Sequence, residues 1–253
     1  MRDIKNYDVY TNGLRKSIID KLFFVNIVNN CSCYLDFGCG DGSLIYYMAK
    51  AFPDYKYIGY DCNLKMVELG REKIKNLPNA IITSDLNIAL SECIGRDTCL
   101  ILNSVIHEIY SYSNPDEFWN VVFNSGFRDI VIRDMIPQNS ICSETDRLDI
   151  VKAAIVIPDY IYKTFINRWG SLLCNREFYH LLLKYRYVEN WDREVNENYF
   201  PILYDDLIDL IPNKYKVIYS ENFVVPFIRD KVLQDLDITM KYNTHTKLVL
   251  SLK

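Results

Sequence analysis

Residues 34–44 read Tyr-Leu-Asp-Phe-Gly-Cys-Gly-Asp-Gly-Ser-Leu, and this stretch is the most informative in the chain. It begins as a short apolar run and then carries three alternating glycines, Gly38, Gly40 and Gly42. An apolar pattern at helical spacing starts directly afterwards with Leu44. This order predicts a strand, a tight turn and a helix, because glycine allows a positive φ and lets a ligand approach the backbone closely. The N–H groups at the start of such a helix are free to bind whatever lies over the turn.

The spacing of the glycines distinguishes two classes of ligand. A dinucleotide-binding turn has the pattern G-x-G-x-x-G, but here Ser43 stands where its third glycine belongs. Asp36 adds a carboxylate two positions before the first glycine, which suits a ligand with ammonium and sulfonium groups better than a pyrophosphate. The pattern D-x-G-x-G-x-G resembles the first motif of class I S-adenosylmethionine-dependent methyltransferases. The resemblance implies that Asp36, Gly38 and Gly40 bind this cofactor.

Later segments extend the resemblance to roughly residues 14–136 and the last strand. Asp61 ends a second apolar run about twenty residues after the glycine turn, the offset of a ribose-binding carboxylate. Such a carboxylate accepts strong hydrogen bonds from both ribose hydroxyls. The resemblance also implies cofactor contacts from Cys62, Met66, Asp85, Leu86 and Asn103. The sequence leaves two alternatives open, since Met66 also fits a helix core and Asp85 also fits a helix cap.

Short apolar runs alternate with helical patterns along the chain. The expected strands are Cys33–Phe37, Tyr57–Asp61, Ala80–Thr83, Cys99–Leu102, Asp129–Met135, Lys216–Tyr219 and Lys247–Leu252. This alternation predicts an α/β fold with a doubly wound, mostly parallel sheet and a ligand at the carboxyl ends of the strands. The resemblance implies seven strands, the last of them antiparallel.

The alternation stops over residues 138–211. Helical patterns near 144–157, 159–168, 174–187 and 203–211 make this stretch too long for a connecting loop. We expect a helical insertion between the fifth and sixth strands, within a single domain of residues 1–253, that covers the site and recognises the substrate. Its interleaved aromatic and arginine side chains could clamp a planar or anionic substrate. The alternative is a small helical core with solvated charges, which the near balance of acidic and basic residues favours. Residues 17–28 have helical spacing, and residues 7–13 correspond to an arm that often covers the cofactor in the family.

The composition limits the kinds of partner and the location that we expect for the protein. The 253 residues carry a net charge of −4, which argues against a surface for duplex DNA. No apolar run approaches the length of about 18 residues needed to span a membrane, and the first five residues do not begin a signal peptide. The eight cysteines lack zinc-site spacing, so we expect no metal and reduced thiols in a cytoplasmic protein.

Methyl transfer is an in-line displacement in which positioning supplies most of the acceleration. His107 stands in a Val-x-His sequence after the fourth strand, which resembles small-molecule methyltransferases. It is the first candidate for a general base, because histidine titrates near neutral pH. The alternative is a histidine that packs against the cofactor or caps a helix. Asp134 and Glu108 are the other catalytic candidates.

The absence of a motif narrows the range of methyl acceptors that we expect. The sequence after the fourth strand lacks the Asn/Asp-Pro-Pro-Tyr/Phe motif of amino-group methyltransferases on adenine and glutamine. We expect methyl transfer from S-adenosyl-L-methionine to an oxygen or nitrogen of a small molecule, with S-adenosyl-L-homocysteine as product. Two alternatives remain open. One is an RNA or protein acceptor recognised by the insertion, and the other is a non-catalytic protein of this fold that binds the cofactor or a partner.

Overall fold

The computed structural model describes residues 18–253, so the arm at residues 7–13 lies outside the described residues. The strands are β1 (Cys33–Phe37), β2 (Lys56–Tyr60), β3 (Ala80–Thr83), β4 (Thr98–Asn103), β5 (Asp129–Asp134), β6 (Tyr215–Phe223) and β7 (His245–Leu252). The helices of the sheet layers are α1 (Ile18–Lys21), α2 (Ser43–Ala51), α3 (Leu64–Ile74), α4 (Leu86–Ser91), α5 (Ile106–Tyr112) and α6 (Pro115–Asn124). The later helices are α7 (Arg147–Val156), α8 (Asp159–Trp169), α9 (Asn175–Lys184), α10 (Trp191–Glu194), α11 (Tyr204–Leu210) and α12 (Pro226–Leu236).

The strands form one sheet in the order β3-β2-β1-β4-β5-β7-β6. Neighbouring strands from β3 to β5 pair in parallel, whereas β7 is antiparallel to both β5 and β6. The α/β fold expected from the sequence is therefore confirmed, including the antiparallel last strand. The strand order reverses between β1 and β4, and the carboxyl ends at such a reversal form the ligand-binding crevice of doubly wound folds.

The strand register brings four predicted site residues to this one edge. Asp36 pairs with Gly59 on one side and Ile101 on the other, so the ends of β1, β2 and β4 lie side by side. Asn103 pairs with Arg133 near the end of β5, next to Asp134. Asp61 follows directly on β2, so the edge from β2 to β5 carries carboxylate and amide groups.

The insertion between β5 and β6 has its own hydrophobic core. Buried residues of its helices pack with Val232 and Leu236 of α12 and with the segment that leads to β7. Most of the aromatic residues noted in the sequence belong to this core: Tyr179, Tyr185, Trp191, Tyr199 and Phe200. Because α12 lies between β6 and β7, a helix outside the insertion completes the core of the insertion.

The N-terminal helix is shorter than predicted. The sequence pattern indicates a helix over residues 17–28, but α1 ends at Lys21 and turns with i→i+3 hydrogen bonds continue to Ile27. Aromatic and β-branched residues fill this part of the chain, and both types have low helix propensity. Phe24 and Val28 are nevertheless buried against the sheet layer, so the apolar spacing was informative about burial. None of the helices over residues 18–253 is long and apolar enough to cross a membrane.

Candidate functional site

The glycine turn joins β1 to α2 in a conformation that other residues rarely adopt. Gly38, Gly40 and Gly42 all have positive φ, at 78°, 55° and 68°. A Cβ atom on Gly38 would lie 2.8 Å from Cγ2 of Val105, in the loop after β4. The turn therefore packs directly against the loop that leads to His107, and a side chain at Gly38 would separate the two.

Asp61 connects the end of β2 to this turn. Its Oδ2 accepts a hydrogen bond from the Gly40 N–H at 2.8 Å, and its Oδ1 accepts one from the Asn63 N–H at 2.8 Å. Burial raises the pKa of Asp61, and the two backbone hydrogen bonds oppose that rise. A carboxylate has about four acceptor sites, so each oxygen retains capacity for a hydroxyl group.

Asp36 and Asn103 are the buried polar groups at the switch point. Burial raises the pKa of Asp36 to about 7, although the nearby charge of Lys21 favours its ionised form. Asn103 is only 5% exposed, and neither polar atom of its side chain has a hydrogen-bond partner among residues 18–253. An unpaired buried amide costs about 1–3 kcal/mol, so such a group in this crevice fits a ligand with polar atoms.

His107 and Asp134 form a buried pair at the ends of β4 and β5. Nδ1 of His107 lies 2.8 Å from Oδ1 of Asp134, which also accepts a hydrogen bond from the Met135 N–H at 2.7 Å. Oδ2 of Asp134 accepts one from the Ile106 N–H at 2.6 Å, at the start of α5. One carboxylate thus fixes both the imidazole and the first turn of the helix that carries it.

The surroundings of the pair favour the ionised form of both groups, as the directions of their pKa shifts indicate. Burial alone would lower the pKa of His107, but the charge and hydrogen bond of Asp134 outweigh burial and raise it to about 9. Burial alone would raise the pKa of Asp134, but His107 and the backbone N–H groups lower it. In this state, Asp134 binds Nδ1 and fixes the orientation of the imidazole.

The insertion lies directly over this pair. The Tyr199 ring is 5.6 Å from the imidazole of His107, centre to centre, and His107 is only 6% exposed. Glu108 is held by the insertion, since its Oε1 is 3.0 Å from Nη2 of Arg193. Arg193 in turn contacts Glu197 at 2.7 Å. The arrangement encloses the imidazole of His107 between α5 and the insertion.

The remaining predicted cofactor residues flank the same edge. Met66 is buried on α3, whereas Cys62 is exposed after β2. Oδ1 of Asp85 caps α4 by accepting hydrogen bonds from the N–H groups of Asn87 and Ile88, at 2.8 and 3.4 Å. The helix cap, which the sequence left open as an alternative for Asp85, is therefore present. Leu86, the first residue of α4, is partly buried.

Sequence reasoning missed Arg133 and Ser104. Buried Arg133 pairs with Asp20 of α1 at 2.6 Å and donates to Oγ of Ser104 at 3.1 Å. Ser104 has a φ of 57°, a rare value for a residue other than glycine and one that often marks a functional loop. The charge of Arg133 within the apolar run of β5 was the sequence feature that could have identified this residue. Over the described range 18–253, no cluster of three or more histidine, cysteine or acidic side chains is arranged to hold a metal.

Comparison with known proteins adds a family match. Residues 35–111 match the model of a family described as a methyltransferase domain. Malonyl-[acyl-carrier protein] O-methyltransferase 1 of Ilyobacter polytropus is 27% identical over 125 residues. The matched region covers 49% of this chain and 38% of that protein, so it spans well under half of the relative's length.

Solved structures share the fold at low sequence identity. The methyltransferase domain of bacterial CtHen1-C has a TM-score of 0.51 and 12% identity, covering 95% of this chain and 98% of that one. The plantazolicin methyltransferase BamL, solved with S-adenosylhomocysteine, has a TM-score of 0.50 and 14% identity, covering 97% and 88%. An O-methyltransferase family 2 protein from Planctomyces limnophilus, solved with apigenin, has a TM-score of 0.53 and 12% identity, covering 97% and 61%.

Proposed function

We propose that this chain is a class I S-adenosylmethionine-dependent methyltransferase, EC 2.1.1.-, that methylates an oxygen or nitrogen atom of a small molecule. The observation that supports this most strongly is the position of the His107–Asp134 pair. The pair lies at the same sheet edge as the glycine turn, which packs against the loop leading to His107. A methyl donor held at the turn therefore has a titratable group as its neighbour.

The cofactor supplies an electrophilic methyl group on its sulfonium and leaves as S-adenosylhomocysteine. In our proposal, Asp61 accepts the ribose hydroxyls with the acceptor capacity that its two backbone contacts leave unused. Asp36 and Asn103 bind polar groups of the methionine part, and Asp85, Leu86, Met66 and Cys62 surround the adenine side. Asn103 supports this assignment because its unpaired amide needs partners that residues 18–253 do not supply.

We assign the base role to His107. Asp134 holds Nδ1, so Nε2 is the nitrogen that takes a proton from the acceptor. With a pKa of about 9, the imidazole must first lose its own proton. A bound cation lowers the pKa of a neighbouring imidazolium, so a sulfonium cofactor at this edge favours the neutral, proton-accepting form. Glu108 lies beside His107 on α5 and is the second proton acceptor in this proposal.

Burial favours a small acceptor over a macromolecule. Tyr199 and its neighbours enclose His107, and long polymers do not reach an enclosed group easily. Arg193, the cation of the insertion nearest to Glu108, already pairs with Glu108 and Glu197. It offers little charge for a phosphate backbone. All eight cysteines are unpaired, which fits the reducing cytoplasm in which we place the reaction.

Labelling tests the acceptor class. The protein is incubated with methyl-labelled cofactor and separate small-molecule, RNA and protein fractions of a cell extract, and mass spectrometry locates the label. We expect label in the small-molecule fraction, and far slower labelling with His107→Ala. Label in RNA or protein would overturn the small-molecule assignment. Cofactor binding without label in any fraction would favour the non-catalytic alternative.

A further inference from the structure

We infer that Lys73 is a positioning residue for the cofactor, although it lies on α3 and outside the glycine turn. Its role is to hold Asp41 and Ser43 of the turn in place. The inference rests on the proposed function to the extent that S-adenosylmethionine is the ligand of the turn. The stretch from residue 34 to 44 gives no indication of Lys73, which lies 32 residues beyond Asp41.

The ammonium group of Lys73 bridges two side chains of the turn. Nζ forms an ion pair with Oδ2 of Asp41 and donates a hydrogen bond to Oγ of Ser43 at 2.6 Å. The other carboxylate oxygen, Oδ1 of Asp41, accepts a hydrogen bond from the Ser43 N–H at 3.1 Å, at the first residue of α2. The three groups form one network that joins α3 to the start of α2.

The backbone of α3 also touches the turn. A Cβ atom on Gly70 would lie 3.4 Å from the carbonyl carbon of Asp41 and 2.7 Å from Cδ1 of Ile82. A Cβ atom on Gly42 would lie 3.3 Å from Cα of Gly70. Lys73 follows Gly70 by three residues, so both lie on the same face of the helix. Close backbone packing and an ion pair therefore support the turn from one side.

Burial makes the ion pair important. The Asp41 side chain is 5% exposed, against 21% for Lys73, so loss of Lys73 leaves a buried carboxylate without its counter-charge. Removing one partner of a buried pair is strongly unfavourable. The turn can relieve that cost by moving Asp41 towards water, and this movement displaces Gly40, whose N–H is bound to Asp61. We expect weaker cofactor binding as the result.

Calorimetric titration with S-adenosylmethionine and S-adenosylhomocysteine tests the inference. Lys73→Met should raise both dissociation constants about tenfold, as expected for coupled residues of one network. Lys73→Arg keeps the positive charge and should bind within about threefold of the unmodified protein. The matched control is Lys75→Met, because Lys75 is 59% exposed at the end of α3 and, within residues 18–253, pairs with Glu72. That variant should bind with unchanged affinity.

A second variant and a second readout separate this inference from the proposed function. Asp41→Asn removes the charge from the other side of the pair, retains an acceptor for the Ser43 N–H and should also weaken binding. In the ligand-free protein, Lys73→Met should speed hydrogen exchange at residues 38–43 and leave the sheet unchanged. Unchanged affinity and exchange in Lys73→Met, or no recovery with Lys73→Arg, would overturn the inference. If the unmodified protein binds neither ligand, the proposed function fails, and the exchange result still decides the role of Lys73.

Discussion

At the scale of single residues, the His107–Asp134 pair couples stability to pH. The pKa of His107 rises from 6.5 to about 9 in the folded protein, and that of Asp134 falls below 3.8. The charges of Glu108 and Glu197 also favour the imidazolium. A raised pKa stabilises the fold below the unfolded value and loses that effect as pH rises through the folded value. The contribution of His107 is therefore complete below about pH 6.5 and disappears through pH 9.

The first prediction concerns this pH window. The free energy of unfolding should fall between pH 6.5 and pH 9.5 by on the order of 3 kcal/mol from His107 alone. His107→Gln removes the titrating group, so its stability should change less over the same range. Denaturant unfolding at several pH values measures both proteins. Parallel curves for the two proteins would contradict the raised pKa of His107.

The second prediction concerns turnover. His107→Ala should lower turnover about 10²–10⁴-fold while cofactor affinity changes little, because the base acts on the acceptor. Asp134→Asn removes the charge that raises the pKa of His107, so the rising limb of the pH–rate profile should move to lower pH. Rates across pH 6 to 10 at saturating cofactor measure both effects. A loss that follows cofactor affinity would instead assign His107 a structural role.

At the scale of elements, the insertion is fastened to α5 near the reactive group. Besides the pair between Arg193 and Glu108, the Asn198 N–H donates to Oγ of Ser111 at 3.0 Å. The hydroxyl of Tyr112 donates to Glu197 at 3.2 Å. In our proposal, an acceptor reaches buried His107 only when some of these contacts open, as in a lid that closes over a reaction.

The third prediction concerns this lid. Arg193→Ala removes a side chain that contacts both Glu108 and Glu197, so hydrogen exchange over residues 191–199 should become faster. Cofactor affinity should stay the same, since the turn is not involved. Arg186→Ala is the matched control, because Arg186 pairs with Asp235 at the surface. Equal exchange in the two variants would argue against a lid fastened by Arg193.

At the scale of the whole molecule, the sequence was sufficient for the sheet but not for the packing around it. Each central strand is an apolar run with a polar residue at or near its end, so the local pattern identified the strands. The same pattern identified the carboxyl-terminal edge of the sheet, which carries Asp36, Asp61 and Asn103. The contacts that complete the site join distant positions. Arg193 lies 85 residues from Glu108, and Lys73 lies 32 residues from Asp41. Their partners depend on how helices pack, which no local pattern encodes.

The fourth prediction concerns the single domain expected from the sequence. The insertion core includes Val232 and Leu236 of α12, and Ile202 and Leu207 of the insertion pack into a core of the sheet, so the insertion does not bury its apolar residues alone. Calorimetric heating should therefore show one cooperative transition, with equal calorimetric and van't Hoff enthalpies. S-adenosylhomocysteine should move the whole transition to higher temperature. Two transitions, of which only one responds to the ligand, would indicate that the insertion folds separately.

Calorimetric titration of S-adenosylhomocysteine into the protein and into Asp61→Ala tests whether the cofactor binds at this sheet edge. Asp97→Ala is the matched control, because Asp97 pairs with Arg128 at the opposite, amino-terminal end of β4. The unmodified protein and the control should bind one ligand with equal affinity. Asp61→Ala should lose about 1.5–3 kcal/mol of binding free energy, as for hydrogen bonds to a charged group. Equal binding by Asp61→Ala, or no binding by the unmodified protein, would contradict a cofactor site at this edge.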